Sequence, residues 1–429
     1  MNYYVNKSLE YLIYLTPFLL LTGPALPDIS ATLCGLCFIY LTISNKDWKF
    51  YKSKIVIFFF IFSFYLILNS SLSNNIIHSY ENSLFYIRFI FFALAIWYAL
   101  VKFPNLTSKL FIIFTVIFIF LILDSLIQFY LGYDIFLIEY RASNRITSVF
   151  GQESILGSFL IRFLPIYISL LIFKNNKKNI NLFFFFILIV FCLVIFTGER
   201  SSIVMLFILN LLILFFVRGY VLQKIIILLT PLIILITISF ISDKFFERLI
   251  NRTTVEIYGF YNNSIELSDP SDSASKLPSY RFTIYQNALE LFKSEPLLGV
   301  GPKNFRIECK RFEKEYKNVR LNDKLEDPKI GCSTHPHNNY IQLLSETGII
   351  GTVPIIFIYF FTIYKLFYYS YYNKNDDVNY SNIIILTLFS FIVNFFPFMP
   401  TGSFFNNWLN VMYYFVLGYL LFVLNRKFI

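Results

Sequence analysis

Residues 181–217 read NLFFFFILIVFCLVIFTGERSSIVMLFILNLLILFFV, two almost purely apolar runs, 181–197 and 201–217, parted only by Gly198, Glu199 and Arg200. Each run approaches the roughly 20 apolar residues that a helix needs to cross a hydrocarbon layer. The break between them is too short for anything but a tight turn. The pair therefore reads as two antiparallel membrane helices with one arginine at their connection. Moving outward from this hairpin, similar runs recur at 9–25, 29–45, 54–72, 83–101, 109–131, 154–173, 222–241, 347–369, 381–397 and 404–424. The expected fold is all-α, a polytopic membrane protein of about 12 transmembrane helices. Residues 1–241 would hold helices 1–9, residues 242–346 one large polar loop containing short helices, and residues 347–429 helices 10–12. The first run is read as a span and not as a signal peptide, because Pro24 and Pro27 interrupt the place where a cleavage site would fall.

Composition agrees with a lipid environment. Hydrophobic residues make up 57% of the chain and charged residues 14%, too few to coat a soluble protein of 429 residues. The 54 Phe and 31 Tyr suit lipid-facing surfaces and headgroup belts. A net charge of +10 raises the question of nucleic acid, and its distribution answers it. Ile241–Tyr340 carries 15 Lys/Arg against 14 Asp/Glu, whereas most of the excess lies in short loops between apolar runs. That pattern reports topology, and no nucleic-acid partner is expected.

The short loops alternate. Lys46, Lys49, Lys52 and Lys54 share a parity with Lys174, Lys177 and Lys178, with Arg218 and Lys224, with Lys365 and Lys374, and with Arg426 and Lys427. Opposite-parity loops such as 23–30 and 71–82 carry Asp28, His78 and Glu81 and no Lys. The positive-inside rule then puts both termini in the cytoplasm and the long loop outside. The two sides also differ in kind: outside the long loop, the outer half has Arg88, Arg141, Arg145, Arg162 and Arg200 and no Lys. Arginine keeps its charge when partly dehydrated and offers a planar fork of donors to phosphate. These residues either pair with Asp124, Glu139, Glu153 and Glu199 or, as a set, hold an anionic ligand.

Two of the chain's three histidines stand in His335-Pro336-His337-Asn338-Asn339-Tyr340, just before a helix that enters the membrane. Asn338 or Asn339 can cap that helix and leave His337 at its positive end, where the neutral, proton-accepting imidazole is favoured. Such a histidine either orders a turn or serves as a general base. Arg200 in its tight turn and Arg281, at the start of a predicted helix over 280–294, are the cations placed to meet a lipid-linked phosphate. A second, charged and exposed helix is expected over Asn304–Val319, and Asn262–Ser279 reads as mobile. Cys309 and Cys332 can bridge if the loop faces an oxidising compartment, whereas Cys34, Cys37 and Cys192 pack within apolar runs. The two loop histidines with Cys332 make an incomplete zinc set, so no metal and no cofactor are expected.

Four stretches resemble the O-antigen ligase and O-antigen polymerase superfamily of bacterial envelope glycan enzymes. They are Phe150-Gly151-Gln152-Glu153-Ser154-x-x-Gly157, then Thr197-Gly198-Glu199-Arg200-Ser201-Ser202, then Arg281-x-x-x-Tyr285-x-x-Ala288 with Pro296-Leu297-Leu298-Gly299-x-Gly301, and His335-x-His337-Asn338-x-Tyr340 with Glu346-x-Gly348-x-x-Gly351. The family usually has Trp where this chain has Tyr285. The resemblance implies a metal-independent glycosyl transfer from an undecaprenyl diphosphate-linked glycan to an acceptor hydroxyl, in the bacterial inner (cytoplasmic) membrane. It makes Arg200 and Arg281 the diphosphate grip and His337 the general base, with His335, Asn338, Arg88, Arg162 and Arg145 in support. Lipid A–core as acceptor would make a ligase, another lipid-linked glycan a polymerase, and a protein hydroxyl a protein-glycosylating enzyme. A transporter or flippase of lipid-linked glycans is the rival of another class, and dependence on His337 separates it from the enzymes.

Overall fold

A computed structural model describes residues 1–139, 145–174, 180–241, 247–251, 253–254, 265–266, 276–277, 280–315, 319–321, 324–326, 329–372 and 377–425. Helices cover each of the predicted apolar runs. They are α1 (Asn2–Leu19), α2 (Ala25–Asn45), α3 (Lys54–Ser71), α4 (Ile76–Ser83), α5 (Arg88–Lys102), α6 (Leu106–Leu131), α7 (Leu156–Phe173), α8 (Ile180–Phe196), α9 (Arg200–Phe216) and α10 (Val221–Ile241) before the loop. After α11 (Tyr280–Ser294) and the single turn α12 (Phe305–Glu308) come α13 (Asn339–Phe367), α14 (Val378–Asn394) and α15 (Asn407–Asn425). Eight helices among the described residues are long and apolar enough to cross a membrane, α4 and α5 counting as one. Part of α8 (Phe184–Phe196) and the whole of α9 and α14 are shorter apolar helices. Helix α1 falls outside both groups, its first half being diluted by Asn2, Asn6, Lys7 and Glu10.

Burial separates centre from periphery. In α7 and α15, 83% of the span window is buried, against 11% in α10. Small residues let the central helices approach: a Cβ on Gly418 of α15 would stand 2.6 Å from the Ala93 carbonyl of α5. Some polar side chains inside the bundle are satisfied across helices, as where Ser390 of α14 donates to the Arg162 carbonyl of α7 at 2.8 Å.

The polar loop is joined to the bundle by backbone. Helix α13 breaks at Gly348 (φ 61°, ψ −165°), and the segment 296–301 lies in the break. Val300 and Gly301 N–H donate to the Ser345 and Glu346 carbonyls, each at 2.9 Å, and Ile349 N–H donates to the Pro296 carbonyl at 2.9 Å. From the bundle side, Asn69 donates to the Leu298 carbonyl at 2.6 Å and Tyr65 to the Thr347 carbonyl at 2.5 Å. A Cβ on Gly299 would meet the Glu346 carbonyl carbon at 2.5 Å, and one on Gly348 would overlap the Leu297 carbonyl. Both glycines also have positive φ, so here glycine is required twice over.

The helix expected over Asn304–Val319 is not what forms. Helical structure stops at Phe312, after α12 and a 3-10 turn (Cys309–Phe312), and Lys314–Glu315 pairs instead with Lys329–Ile330 as an antiparallel ladder. The reason is local. Phe305 and Cys309 enter a small loop core with Ile284, Ala288, Leu291 and Val300, Phe312 packs at its edge, and the helical face ends there. Cys309 is bonded to Cys332 with their Cα atoms 5.3 Å apart, which closes the loop onto the histidine segment. Most of Asn262–Ser279 lies outside the described residues.

Candidate functional site

The arginine turn is built by one carboxylate. After α8, Gly198 (φ 62°) reverses the chain and Glu199, 7% exposed, points across to α7. Its carboxylate accepts from the N–H groups of Gly157 (2.8 Å) and Ser158 (3.1 Å), which the first turn of α7 leaves without intrahelical partners, and from the Ser202 hydroxyl (2.8 Å). Gly157 must lack a side chain, since a Cβ there would stand 2.8 Å from Thr197 Oγ1. Burial raises the Glu199 carboxyl to about 7, while its three hydrogen bonds and the nearby Arg145 act in the other direction. The turn thereby sets Arg200 at the head of α9, where it donates to Thr253 Oγ1 at 3.3 Å. One turn down α7, Arg162 is buried and held by Ser158 Oγ (3.1 Å) and by the Asn394 side-chain oxygen (2.9 Å).

The histidine segment is stitched to the connection between α14 and α15. Thr401 N–H donates to the His337 carbonyl at 2.9 Å, and Asn338 Nδ2 donates to the Pro397 carbonyl at 2.7 Å. Asn338 also caps α13, its Oδ1 accepting from Tyr340 N–H (2.9 Å) and Ile341 N–H (3.1 Å). His335 Nε2 lies 3.3 Å from the Thr401 carbonyl and its Nδ1 2.9 Å from Thr334 Oγ1. A carbonyl only accepts, so Nε2 carries the proton and Nδ1 takes the Thr334 hydrogen; both nitrogens of His335 are engaged. His337, at φ 56°, places its ring 4.2 Å from that of His335, and its Nε2 meets Ser333 Oγ at 3.3 Å. Its Nδ1 has no hydrogen-bond partner among the described residues. Burial lowers the His337 imidazole below its usual range, with Arg281 adding to the effect, and pushes His335 down to about 4, helped by His337 and Arg306. Both rings are neutral near pH 7.

These parts enclose a cavity of about 1380 Å³. One wall is cationic, with Arg145, Arg162, Arg200, Arg281, Lys303 and Arg306; Glu153 and Glu199 are the acidic residues described there. Apolar residues also line it, among them Leu20, Leu21, Val149, Phe150, Leu409 and the exposed Phe398. Of the residues singled out from sequence, Arg145, Arg162, Arg200, Arg281 and His335 line this space together. His337 lies directly beside His335 but is not part of the lining, and Asn338 supports the segment from below. Arg88 is placed elsewhere, in an ion pair with Asp28 at 2.8 Å. Arg141 lies outside the described residues.

Sequence reasoning overlooked Lys303, Arg306 and the α14–α15 connection from Phe396 to Asn406. The signal for the two cations was available in Gly299-x-Gly301-Pro302, a turn that carries whatever follows it back to the membrane. The α14–α15 connection carries neither charge nor histidine and gave no chemical signal.

The multi-pass helical bundle thus presents a cavity lined by arginines, His335 and apolar side chains, to which the polar loop contributes Arg281, Lys303, Arg306 and His335. Residues 183–356, less than half of the chain, match the family described as O-Antigen ligase, in agreement with the resemblance carried by the arginine and histidine motifs. The matched span holds the arginine turn, Arg281 and the histidine segment, while Arg145 and Arg162 precede it. No curated protein matches the chain.

Proposed function

We propose that the protein is a glycosyltransferase that moves a glycan from undecaprenyl diphosphate to an acceptor hydroxyl, with ligation to lipid A–core as its first form. It works on the outer side of the bacterial inner membrane, with both termini in the cytoplasm, residues 242–346 in the periplasm and the rest in the two membrane parts, 1–241 and 347–429. The observation that carries this reading is the shared cavity: Arg200 from α9 and Arg281 from α11 converge beside two neutral histidines, above apolar ends of spans. An anionic diphosphate on a hydrocarbon tail fits such a space, and a neutral sugar or a free anion would use only half of it.

In the reaction the acceptor oxygen attacks the anomeric carbon of the glycan. The bond from that carbon to the diphosphate oxygen breaks and its electron pair leaves with the diphosphate. Arg200 and Arg281 stabilise the charge gathered there, and His337 takes the acceptor's proton on its open nitrogen. His335, whose nitrogens are both engaged, holds the neighbouring ring and the Thr401 connection in place. This chemistry calls for no metal, so transfer by the purified protein should survive chelation.

The deciding experiment is a surface-glycan gel of a deletion strain complemented with His337→Ala. Normal glycan in that strain would remove the catalytic proposal and favour a transporter. Full-length glycan left on the lipid carrier supports ligation, and single repeat units on core would redirect the reading to a polymerase.

A further inference from the structure

Lys303 is a lysine in a position made for something else. Its φ of 60° is the left-handed region that glycine or asparagine would occupy without strain. The backbone around it is fixed on both sides. The fully buried Glu346 accepts from Lys303 N–H and, at 3.1 Å, from Phe305 N–H. Asn304 is buried with its Nδ2 donating to the Val300 carbonyl at 2.8 Å, and Ser79 donates to the Pro302 carbonyl at 3.1 Å. This anchoring presents Lys303 and, three residues on, Arg306 to the cavity. Neither cation forms an ion pair with any described carboxylate. Lys303 is also half-buried, and burial with the neighbouring Arg306 lowers its ammonium below the usual range. A strained, partly dehydrated cation beside a second one, with Glu346 and Glu81 acting on it only from beyond ion-pair distance, is stabilised by an anion supplied from outside.

We propose that Lys303 and Arg306 form a second anion subsite, taking a phosphate or carboxylate group carried by the acceptor close to its reacting hydroxyl. This rests on the transferase reading above. The pair is assigned to the acceptor because of its place. Arg306 is near enough to His335 to disfavour protonation of that ring, as Arg281 is to His337, so Arg306 and Arg281 both border the histidines and Lys303 and Arg306 stand beyond the two arginines assigned to the diphosphate. The base must touch the acceptor hydroxyl, so whatever binds there enters with the acceptor. Arg145 acts on Glu199 and Arg162 is held by Ser158, both at the arginine turn. A diphosphate diester carries two negative charges, which Arg200 and Arg281 suffice to match.

The test is equilibrium binding to the purified full chain in detergent, with inorganic diphosphate as the donor-group probe and glucose 6-phosphate and glucuronate as acceptor-group probes. One of the two sugars should bind protein already saturated with diphosphate, and the tighter of them tells phosphate from carboxylate. Lys303→Gly combined with Arg306→Gln should weaken that sugar about tenfold or more and leave diphosphate affinity within about twofold. Glycine suits the left-handed backbone at 303, so this variant should fold. The exchange Lys303→Arg with Arg306→Lys should retain binding. Competition between sugar and diphosphate, equal weakening of both by the double variant, or no sugar bound at saturation would each overturn the proposal. Arg200→Ala with Arg281→Ala serves the other reading: unchanged diphosphate affinity there would remove the donor site itself, whatever the sugars do.

Discussion

At the scale of single residues, the cavity divides its work between groups that face the substrate and groups that hold them. His337 is the open-sided histidine, and its replacement by Ala should lower transfer about 10²–10⁴-fold, measured on a defined lipid-linked donor, if it is the base. Its pH dependence has a definite sign. The imidazole is depressed below its ordinary value of 6.5, so the neutral base persists on acidification to below pH 6.5, and the rate should fall only under that point. A limb centred above pH 7 would argue against His337 and direct attention to Glu199, which burial raises to about 7. Glu199→Ala should cost about 1–3 kcal/mol of stability by leaving two N–H groups of α7 without their acceptor, seen as a lowered melting temperature in detergent. The arginines and histidines were legible because charge is rare in such a chain and each one stands out. Glu199 was not legible as a helix cap, because the two amides it serves lie about forty residues earlier, and no local spacing announces them.

Among the elements, α8 and α9 were legible to within a residue, since long apolar runs leave the chain few alternatives, whereas α1 and α13 begin seven and eight residues before their predicted runs. The loop was harder. The pattern that suggested a helix from Asn304 was a run of charges, and charge alone fixes no face; two buried residues, Phe305 and Cys309, and a covalent link to Cys332 decided the outcome. Glycine motifs carried more than their turn signals suggested. Gly299 and Gly348 face each other across the break in α13, and neither has room for a methyl group. Gly348→Ala should therefore destabilise the protein by about 3 kcal/mol or more, from the left-handed φ and the overlap with the Leu297 carbonyl together. A melting temperature equal to that of the parent chain would show that loop and helix are not joined in this way. The Cys309–Cys332 link closes a segment of 23 residues, for which chain entropy gives about 3 kcal/mol. Cys332→Ser should lower the melting temperature, and the parent chain under reductant should show the same shift.

For the whole molecule, the expected placement of the loop outside the membrane makes a direct prediction. Lys314→Cys, at an exposed loop position, should react with a membrane-impermeant maleimide on spheroplasts, whereas a cysteine in place of the exposed Lys46 should react only after lysis. The reverse pattern would invert the topology and with it the assignment of every site residue to the outer face. The joint between the loop and α13 also constrains how substrates reach the cavity. A cover that opens needs a line about which it can swing, and at this end the chain has none. Lifting the segment 296–301 would strip paired amides and carbonyls from the break near the start of α13 and leave them bare. The return leg of the loop is therefore a fixed lintel. The cavity is bordered by the turn after α1 and by the first turns of α7 and α9, so on the transferase reading the spacing of these elements, more than any motion of the return leg, should limit which lipid carriers are admitted.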